Sequence, residues 1–522
     1  MARLSKVGSM RTGMRLVSPA QRRARLAVRH HLAPAARAGS VAGAVAGMIA
    51  LHGTDPASVY LAAWARTGSA DKADVEHALY TERALVRMLG MRRTVFVVPA
   101  ALVPVIQASC TDQIAERLRR QLTQVVQGAG IAPDAATWLK DVGEATVRAL
   151  AARGSATGAE LAREEPRLRT QIVDAADNPY GGSVNLTSRL LTLLSAEGLI
   201  VRGRPRGGWT STQFAWSAAG ARAELSAAEA RAELARRWLF AFGPAPVSDL
   251  QWWTGWTAGQ VKQTLARLQV TEVDLGGATG IMLTADKPAL DEAAAVPPWP
   301  ALLPALDPTA MGWRDRAWYV GDHAQALFDR SGNIGPTAWW DGRIVGGWAQ
   351  RKDGEIVVRL LEDTGAEAAA AIADEAQRLR AWIGSGRVTP RFRTPLEREL
   401  TEEQARLSRS TAVFADNAYI AQPGKNKSMV TFIIVLIIIG LIAGLIARLL
   451  LPGRDSLGIL GTIVLGIVGS FIGGFLQNLI EYHHVSIHSF HTVGIIGSII
   501  GAFVLLLLLR VTGMEPGRRR RR

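Results

Sequence analysis

The composition changes abruptly at Met429, and that change constrains the fold more than any motif does. Beyond it, Val430–Ala447, Leu457–Ile480 and Val493–Leu509 are free of Asp, Glu, Lys and Arg. Each is close to the roughly 20 apolar residues that cross a bilayer as a helix. Glycines stand four apart in all three runs, at Gly440/Gly444, Gly469/Gly473 and Gly497/Gly501. That spacing lets helices approach closely in lipid and offers a surface for homo-oligomer formation. A three-helix transmembrane domain is therefore expected over 429–522, behind a short linker at 423–428.

The preceding four-fifths of the chain are a different material. The whole sequence of 522 residues carries a net charge of +15. After Met429 there are eight arginines against three carboxylates, so the larger part is also basic and suits an anionic partner. Its length calls for several domains. A single cysteine, Cys110, excludes an intrachain disulfide and a cysteine-built zinc site, and no motif calls for a metal or other cofactor. Fifteen tryptophans against six tyrosines indicate a packed body. Val41–Leu51 is apolar and follows arginines, but its long basic lead and the lack of a small-residue cleavage site disfavour a signal peptide.

Residues 1–40 place Arg22, Arg23, Arg25, Arg29 and Arg37 around Leu26, Val28 and Leu32, which reads as a solvated helix face rather than a phosphate-binding arm. From Ala42 to about Ala152 the pattern is helical, interrupted by one β-like run at Arg93–Val98. Thr157–Arg163 then reads as a capped helix, Val184–Ala196 as a second helix, and Leu199–Arg202 with Trp209–Trp216 as a ribbon. Helix, helix and ribbon is the order of a winged helix, whose second helix enters the major groove. A similar order recurs with Pro246–Leu250, Thr257–Leu268, Val270–Leu275 and Gly280–Thr284, although that copy has no arginine in its wing. Residues 297–360 turn β-rich, with strands expected at Trp318–Val320, Thr337–Trp340, Arg343–Trp348 and Glu355–Leu360 and Asp-Gly turns at 341–342 and 353–354. A long helix at Ala366–Trp382 follows, then a charged, irregular stretch to Gln422.

The first wing, Arg202-Gly203-Arg204-Pro205-Arg206-Gly207-Gly208, stiffens three arginines on a hairpin suited to a minor groove. Asn185, Thr187, Ser188 and Arg189 on the preceding helix complete the expected duplex-DNA contact. Chemistry concentrates at His52-Gly53-Thr54-Asp55-Pro56, where an apolar segment turns into a second helix. His52, Thr54 and Asp55 could hold a water for base excision. Thr54 or Asp55 ahead of Pro56 is equally the chemistry of a helix cap.

These segments carry a resemblance. ALHGTDPASVYLAAWAR, RALVRMLGMRRTVFVVP, RRWLFAFGPAPVSDLQWWTG, LLPALDP and GPTAWWDGRIVGGW make residues ~15–400 resemble the winged-helix DNA-binding proteins that include the AlkZ/YcaQ-type DNA glycosylases. The resemblance implies tandem winged helices and a β-barrel-like part forming a concave cradle for duplex DNA, alkylated DNA in the case of the glycosylases. The family's catalytic Gln-x-Gln or Gln-x-Asp pair falls on His52 and Thr54, and its MRGTLH pattern reads MRRTVF here, with Phe96 in place of a histidine. The tail, with IIIGLIAGLIARLLLPGRDSLGILGTIVLGIVGSFIGG, resembles the GlsB/YeaQ/YmgE-type (transglycosylase-associated) stress-response membrane proteins.

Together these readings give an α+β multidomain protein: tandem winged helices plus a β-rich C-terminal module, followed by a three-helix transmembrane domain. The expected divisions are 1–152, 153–220, 221–290, 291–422, 423–428 and 429–522. The expected location is the plasma membrane, with the DNA-binding part in the cytoplasm. Three spans would then put Arg448, Arg454 and Arg518–Arg522 outside, against the positive-inside rule. That conflict points to two neighbouring genes joined by natural fusion, or by a frameshift or misread stop, in which case the body is simply cytoplasmic. The expected function is a DNA-binding protein of the glycosylase-like family. The alternatives are an active glycosylase acting on alkylated bases or crosslinks, and a membrane stress protein with a vestigial DNA-binding part.

Overall fold

The computed structural model describes residues 14–173, 183–221, 223–290 and 296–402. The linker and the three apolar runs beyond Met429 lie outside these residues. Among the described residues no helix is long and apolar enough to cross a membrane.

Helix α1 (Pro19–Arg29) opens with Ser18 and Gln21 in a reciprocal capping box. Its arginines are not solvated, contrary to the expectation for this segment. Arg25 donates to Asp286 at 2.9 Å and to the Gly243 carbonyl at 3.2 Å, and Arg22 stacks 3.9 Å over Trp318. Arg29 pairs with Asp286 at 3.3 Å and lies 3.5 Å over Phe240. The arginine stems cover apolar surface while their heads meet carboxylates and carbonyls of distant segments, a use of arginine that charge counting does not anticipate.

Helix α2 (Val41–Gly47) leads into strand β1 (Leu51–His52), and Asp55 caps α3 (Pro56–Thr67) with Pro56 at its first position. Every residue of α3 is buried, and Gly68 ends it in the left-handed conformation at φ 71°. After α4 (Lys72–Glu76), strands β2 (Leu85–Leu89) and β3 (Val95–Pro99) join β1 in an antiparallel sheet of order β1-β3-β2. β2 corrects the helical reading of its segment: pairing with the β-branched β3 overrides a sequence without strict alternation.

Helices α5 (Val103–Ile106), α6 (Asp112–Gly128) and α7 (Ala135–Arg153) follow. Next come α8 (Gly158–Glu164), the hairpin of β4 (Gln171–Val173) and β5 (Ser183–Asn185), α9 (Leu186–Ala196), and the ribbon of β6 (Ile200–Pro205) and β7 (Phe214–Ala218). Leu122, Leu139, Leu161, Leu190, Leu194 and Trp216 belong to a core particular to this region. Each fully buried leucine contributes roughly 1.5–3 kcal/mol. The order repeats in α10 (Ala227–Phe242), α11 (Val247–Thr254), α12 (Ala258–Leu265), β8 (Val270–Asp274) and β9 (Thr279–Leu283), but here the apolar faces join the main core.

The remainder is a four-stranded antiparallel sheet, β10 (Pro300–Leu303), β11 (Thr337–Trp340), β12 (Arg343–Gln350) and β13 (Ile356–Leu360), in that order. Asp341-Gly342 turns β11 into β12 with φ of 47° and 78°, as the Asp-Gly signal predicts. Between β10 and β11 lie α13 (Pro308–Met311), α14 (Ala317–Val320) and α15 (Ala324–Leu327), and α16 (Gly365–Ile383) closes the sheet. Trp318–Val320 is thus helical, not a strand: Tyr319 turns inward and its hydroxyl donates to the Ala310 carbonyl at 2.9 Å.

The end of α3 is fixed to this module by a buried knot. Arg66 forks onto Asp307 at 2.8 and 2.7 Å and also donates to Thr309 at 2.8 Å. Both partners of the ion pair are fully buried, so removing either would leave the other as an uncompensated buried group. His30 bonds Thr309 at 2.9 Å beside it, and burial holds that imidazole neutral.

Candidate nucleic-acid interface

The knot anchors one end of α3, and the corner stands at the other. His52 lies opposite Phe96 in the β1–β3 register, with ring centres 4.8 Å apart. Burial, reinforced by Arg92 and Arg316, pushes its pKa down to about 3, so the imidazole is neutral at physiological pH. Its buried Nδ1 has no hydrogen-bond partner among the described residues. Gly53 is a glycine for a steric reason: a Cβ there would sit 3.1 Å from the Arg87 guanidinium and 3.3 Å from the Phe96 backbone. Arg87 donates through Nη1 to the Gly53 carbonyl.

Asp55 has a structural occupation. Its Oδ1 accepts from the Ala57 amide at 3.1 Å and its Oδ2 from the Arg391 amide, also at 3.1 Å. Burial raises its pKa, while those two amide bonds oppose the rise. The carboxylate therefore caps α3 and holds the chain beyond α16 against the corner.

His52 and Thr54 line a cleft of about 620 Å³ together with Arg92, Arg93, Arg314 and Arg316. No carboxylate is among its described lining residues. Trp252 forms part of the wall, with the Arg92 guanidinium 4.0 Å and that of Arg316 5.1 Å from its ring centres. Burial lowers the pKa of both arginines, and their mutual repulsion lowers that of Arg92 further. Thr54 also lines a second cleft of about 740 Å³, shared with Arg163, Arg202, Arg206, Phe214 and Arg391.

The expected DNA-contacting residues separate into two groups. Arg202 and Arg206 face the second cleft, and Arg204 pairs with Glu76 of α4 while lying 5.3 Å over Tyr80. Arg206 pairs with Glu160 of α8 at 2.7 Å. These side chains are 54 and 60 % exposed, so their ion pairs are weak and exchangeable for phosphate. Asn185, Thr187, Ser188 and Arg189 line neither cleft. Asn185 and Ser188 are exposed, whereas the Thr187 hydroxyl donates to the Leu168 carbonyl at 2.7 Å. Sequence reasoning missed Arg92, Trp252, Arg316 and Arg391 as site residues. The Trp252-Trp253 pair was a visible signal, but convergence of the others depends on tertiary structure. Among the described residues no cluster of His, Cys, Asp and Glu could hold a metal.

Fold and site together define a class: a mixed helix–sheet protein whose buried histidine corner opens onto arginine-lined clefts. Residues 45–382 match the family described as DNA glycosylase AlkZ-like, and the chain belongs to that family. The solved structure of Streptomyces sahachiroi DNA glycosylase AlkZ shares the fold at a TM-score of 0.55 and 21% identity, covering 71% of this chain and 98% of that one. Residues 463–512 match the transglycosylase-associated protein family and form a YeaQ-like domain. The UPF0410 protein YeaQ of Escherichia coli (strain K12) is 40% identical over 61 residues, 12% of this chain and 72% of YeaQ. The UPF0410 protein YmgE of the same strain is 40% identical over 68 residues, 13% of this chain and 80% of YmgE.

Proposed function

We propose that the body of this chain is a duplex-DNA-binding protein whose corner engages DNA without excising bases, joined to a domain that associates with the membrane. The observation that carries this reading is the lining of the histidine cleft, where four arginines and a neutral histidine are present and no carboxylate is among the described lining residues. Base excision develops positive charge on the sugar, which such a lining repels. Phosphate oxygens are attracted by the same lining.

In this reading each helix–helix–ribbon order is a winged helix. The first would use Asn185, Ser188 and Arg189 toward base edges, and Arg202, Arg204 and Arg206 toward the backbone. Thr187 supports α9 through Leu168 rather than reaching out. His52 and Thr54 occupy the positions of the family's catalytic pair, and Asp55 positions the corner. The tail would cross the bilayer with Val430–Ala447, Leu457–Ile480 and Val493–Leu509, with its paired glycines available for association between copies.

The test is binding of the detergent-solubilised full chain to labelled duplex DNA over a range of salt. The expected result is affinity that falls steeply with salt and weakens in Arg204→Ala and Arg206→Ala. Affinity independent of both would reject the DNA-binding reading. Fractionation of cells tests the joined form: full-length chain in membranes supports it, and a soluble band of about 46 kDa, at roughly 110 Da per residue, would reject it.

A further inference from the structure

Thr54 belongs to both clefts, and the side chains beside it form an electrostatic arrangement that the corner alone does not explain. Arg202 on β6 lies with its guanidinium 5.5 Å from the Phe214 ring centre and 5.3 Å from that of Trp216. Arg87, only 2% exposed, lies 4.8 Å over the same Phe214. Among the described residues its buried Nε and Nη2 make no hydrogen bond of good geometry, and the Tyr80 hydroxyl is near enough to interact with the guanidinium. Arg391 lines the same cleft as Arg202, its backbone held by Asp55. The three guanidiniums are close enough to interact: besides burial, repulsion from Arg87 and Arg391 lowers the pKa of Arg202 to about 10.

The nearby carboxylate resolves this only in part: Asp55 attracts Arg391 and Arg87, but its two oxygens are taken by the backbone amides of Ala57 and Arg391. Glu160, the acid in the cleft lining, is engaged by the α8 cap at Thr157 and by Arg206. Partly desolvated cations that repel one another are stabilised by an anion with several acceptor oxygens. The Thr54 side chain adds a hydroxyl donor where the two clefts meet.

We propose that Arg202, Arg391 and Thr54 form a seat for a single backbone phosphate of DNA, carrying the strand from the ribbon cleft over Thr54 into the histidine cleft. This rests on the DNA-binding reading above and adds to it a specific phosphate position, with Arg391 assigned from a segment far from the wing. Arg87 is a positioning residue here: it holds the Gly53 carbonyl and packs Phe214 from the protein side.

The experiment uses the full chain in detergent, a short fluorescein-labelled duplex, and anisotropy titrations across sodium chloride concentrations. Arg202→Gln and Arg391→Gln are each expected to weaken binding roughly tenfold. Each should lower the slope of log affinity against log salt by about one. The double variant should also lose about one, because both side chains address the same phosphate, and Arg391→Lys should keep the slope. Unchanged slopes in both glutamine variants, with wild-type binding still salt-dependent, would overturn the seat and leave the DNA reading standing. Absence of salt-dependent wild-type binding would overturn both. Competition by sodium phosphate that Arg391→Gln abolishes, with the duplex slope unaffected, would assign the seat to free phosphate and overturn the proposal. Thermal melting of Arg391→Gln alongside Arg391→Lys separates an unfolded variant from a lost contact.

Discussion

The helix–helix–ribbon order appears twice in the body, and its two ribbons differ in their cores and in the charge of their turns. The first, β6–β7, belongs to a region with its own core and presents Arg204 and Arg206 more than half exposed. The second, β8–β9, is bonded by chain from elsewhere along its strands, while its turn residues Gly276, Gly277 and Ala278 are exposed. The Val17 amide donates to the Asp274 carbonyl at 2.8 Å, and Ala245 and Ile281 exchange hydrogen bonds at 3.1 and 2.8 Å. Its turn is closed by Asp274, whose Oδ1 accepts from the amides of Gly276 and Gly277. One architecture thus supplies both a basic surface and a scaffold. Both ribbons take a bridge on one edge, Ala156 with Trp216 and Ala245 with Ile281, so the difference lies in the Val17 contact on the second ribbon and in the arginines that only the first carries in its turn.

Breaking the scaffold side should produce the largest effect. Asp307→Ala strands the fully buried Arg66 guanidinium and is expected to lower stability by about 3–5 kcal/mol, read by urea unfolding of the full chain in detergent. A loss below about 1 kcal/mol would mean that the knot does not hold the corner's helix in place.

Acidification acts on the same scaffold. His52 has its pKa pushed from 6.5 down to about 3, so the unfolded state binds the proton more readily between those values. Its contribution is complete above about pH 6.5 and is lost as pH falls toward 3, with a slope of up to roughly 1.4 kcal/mol per pH unit. His30, depressed in the same direction, adds to the slope. His52→Gln should flatten the stability–pH curve in that window, and an unchanged curve would show that the imidazole is not buried as described.

The smallest effect tests the comparison itself. Lys262→Ala with Arg267→Ala in the second copy should leave duplex affinity within about twofold. Arg204→Ala with Arg206→Ala should lower the salt slope by about two. The two copies would be functionally equivalent if both pairs gave the same loss in the anisotropy assay.

Local chemistry was the legible part of the fold. Alternation, caps and Asp-Gly turns located the first ribbon, the second copy and most of the four-stranded sheet. Tertiary pairing was not legible: β2 reads as helix until β3 is beside it, and Trp318–Val320 reads as strand until Tyr319 turns inward. The corner was visible as polar residues before Pro56, including the cap that Asp55 forms. Its arginine lining was not, because Arg92, Arg314, Arg316 and Arg391 come from segments brought together only by folding. The arginines of α1 illustrate the same limit, since only the folded chain shows which guanidiniums meet carboxylates and which meet solvent.

In the proposed function the corner engages DNA without excising bases. This is tested most directly by incubating the full chain with alkylated duplex DNA, then with hot alkali, and resolving the strands on a denaturing gel. The account predicts cleavage no greater than in the protein-free control, and the same from His52→Ala. Cleavage by the wild type that disappears in His52→Ala would contradict it.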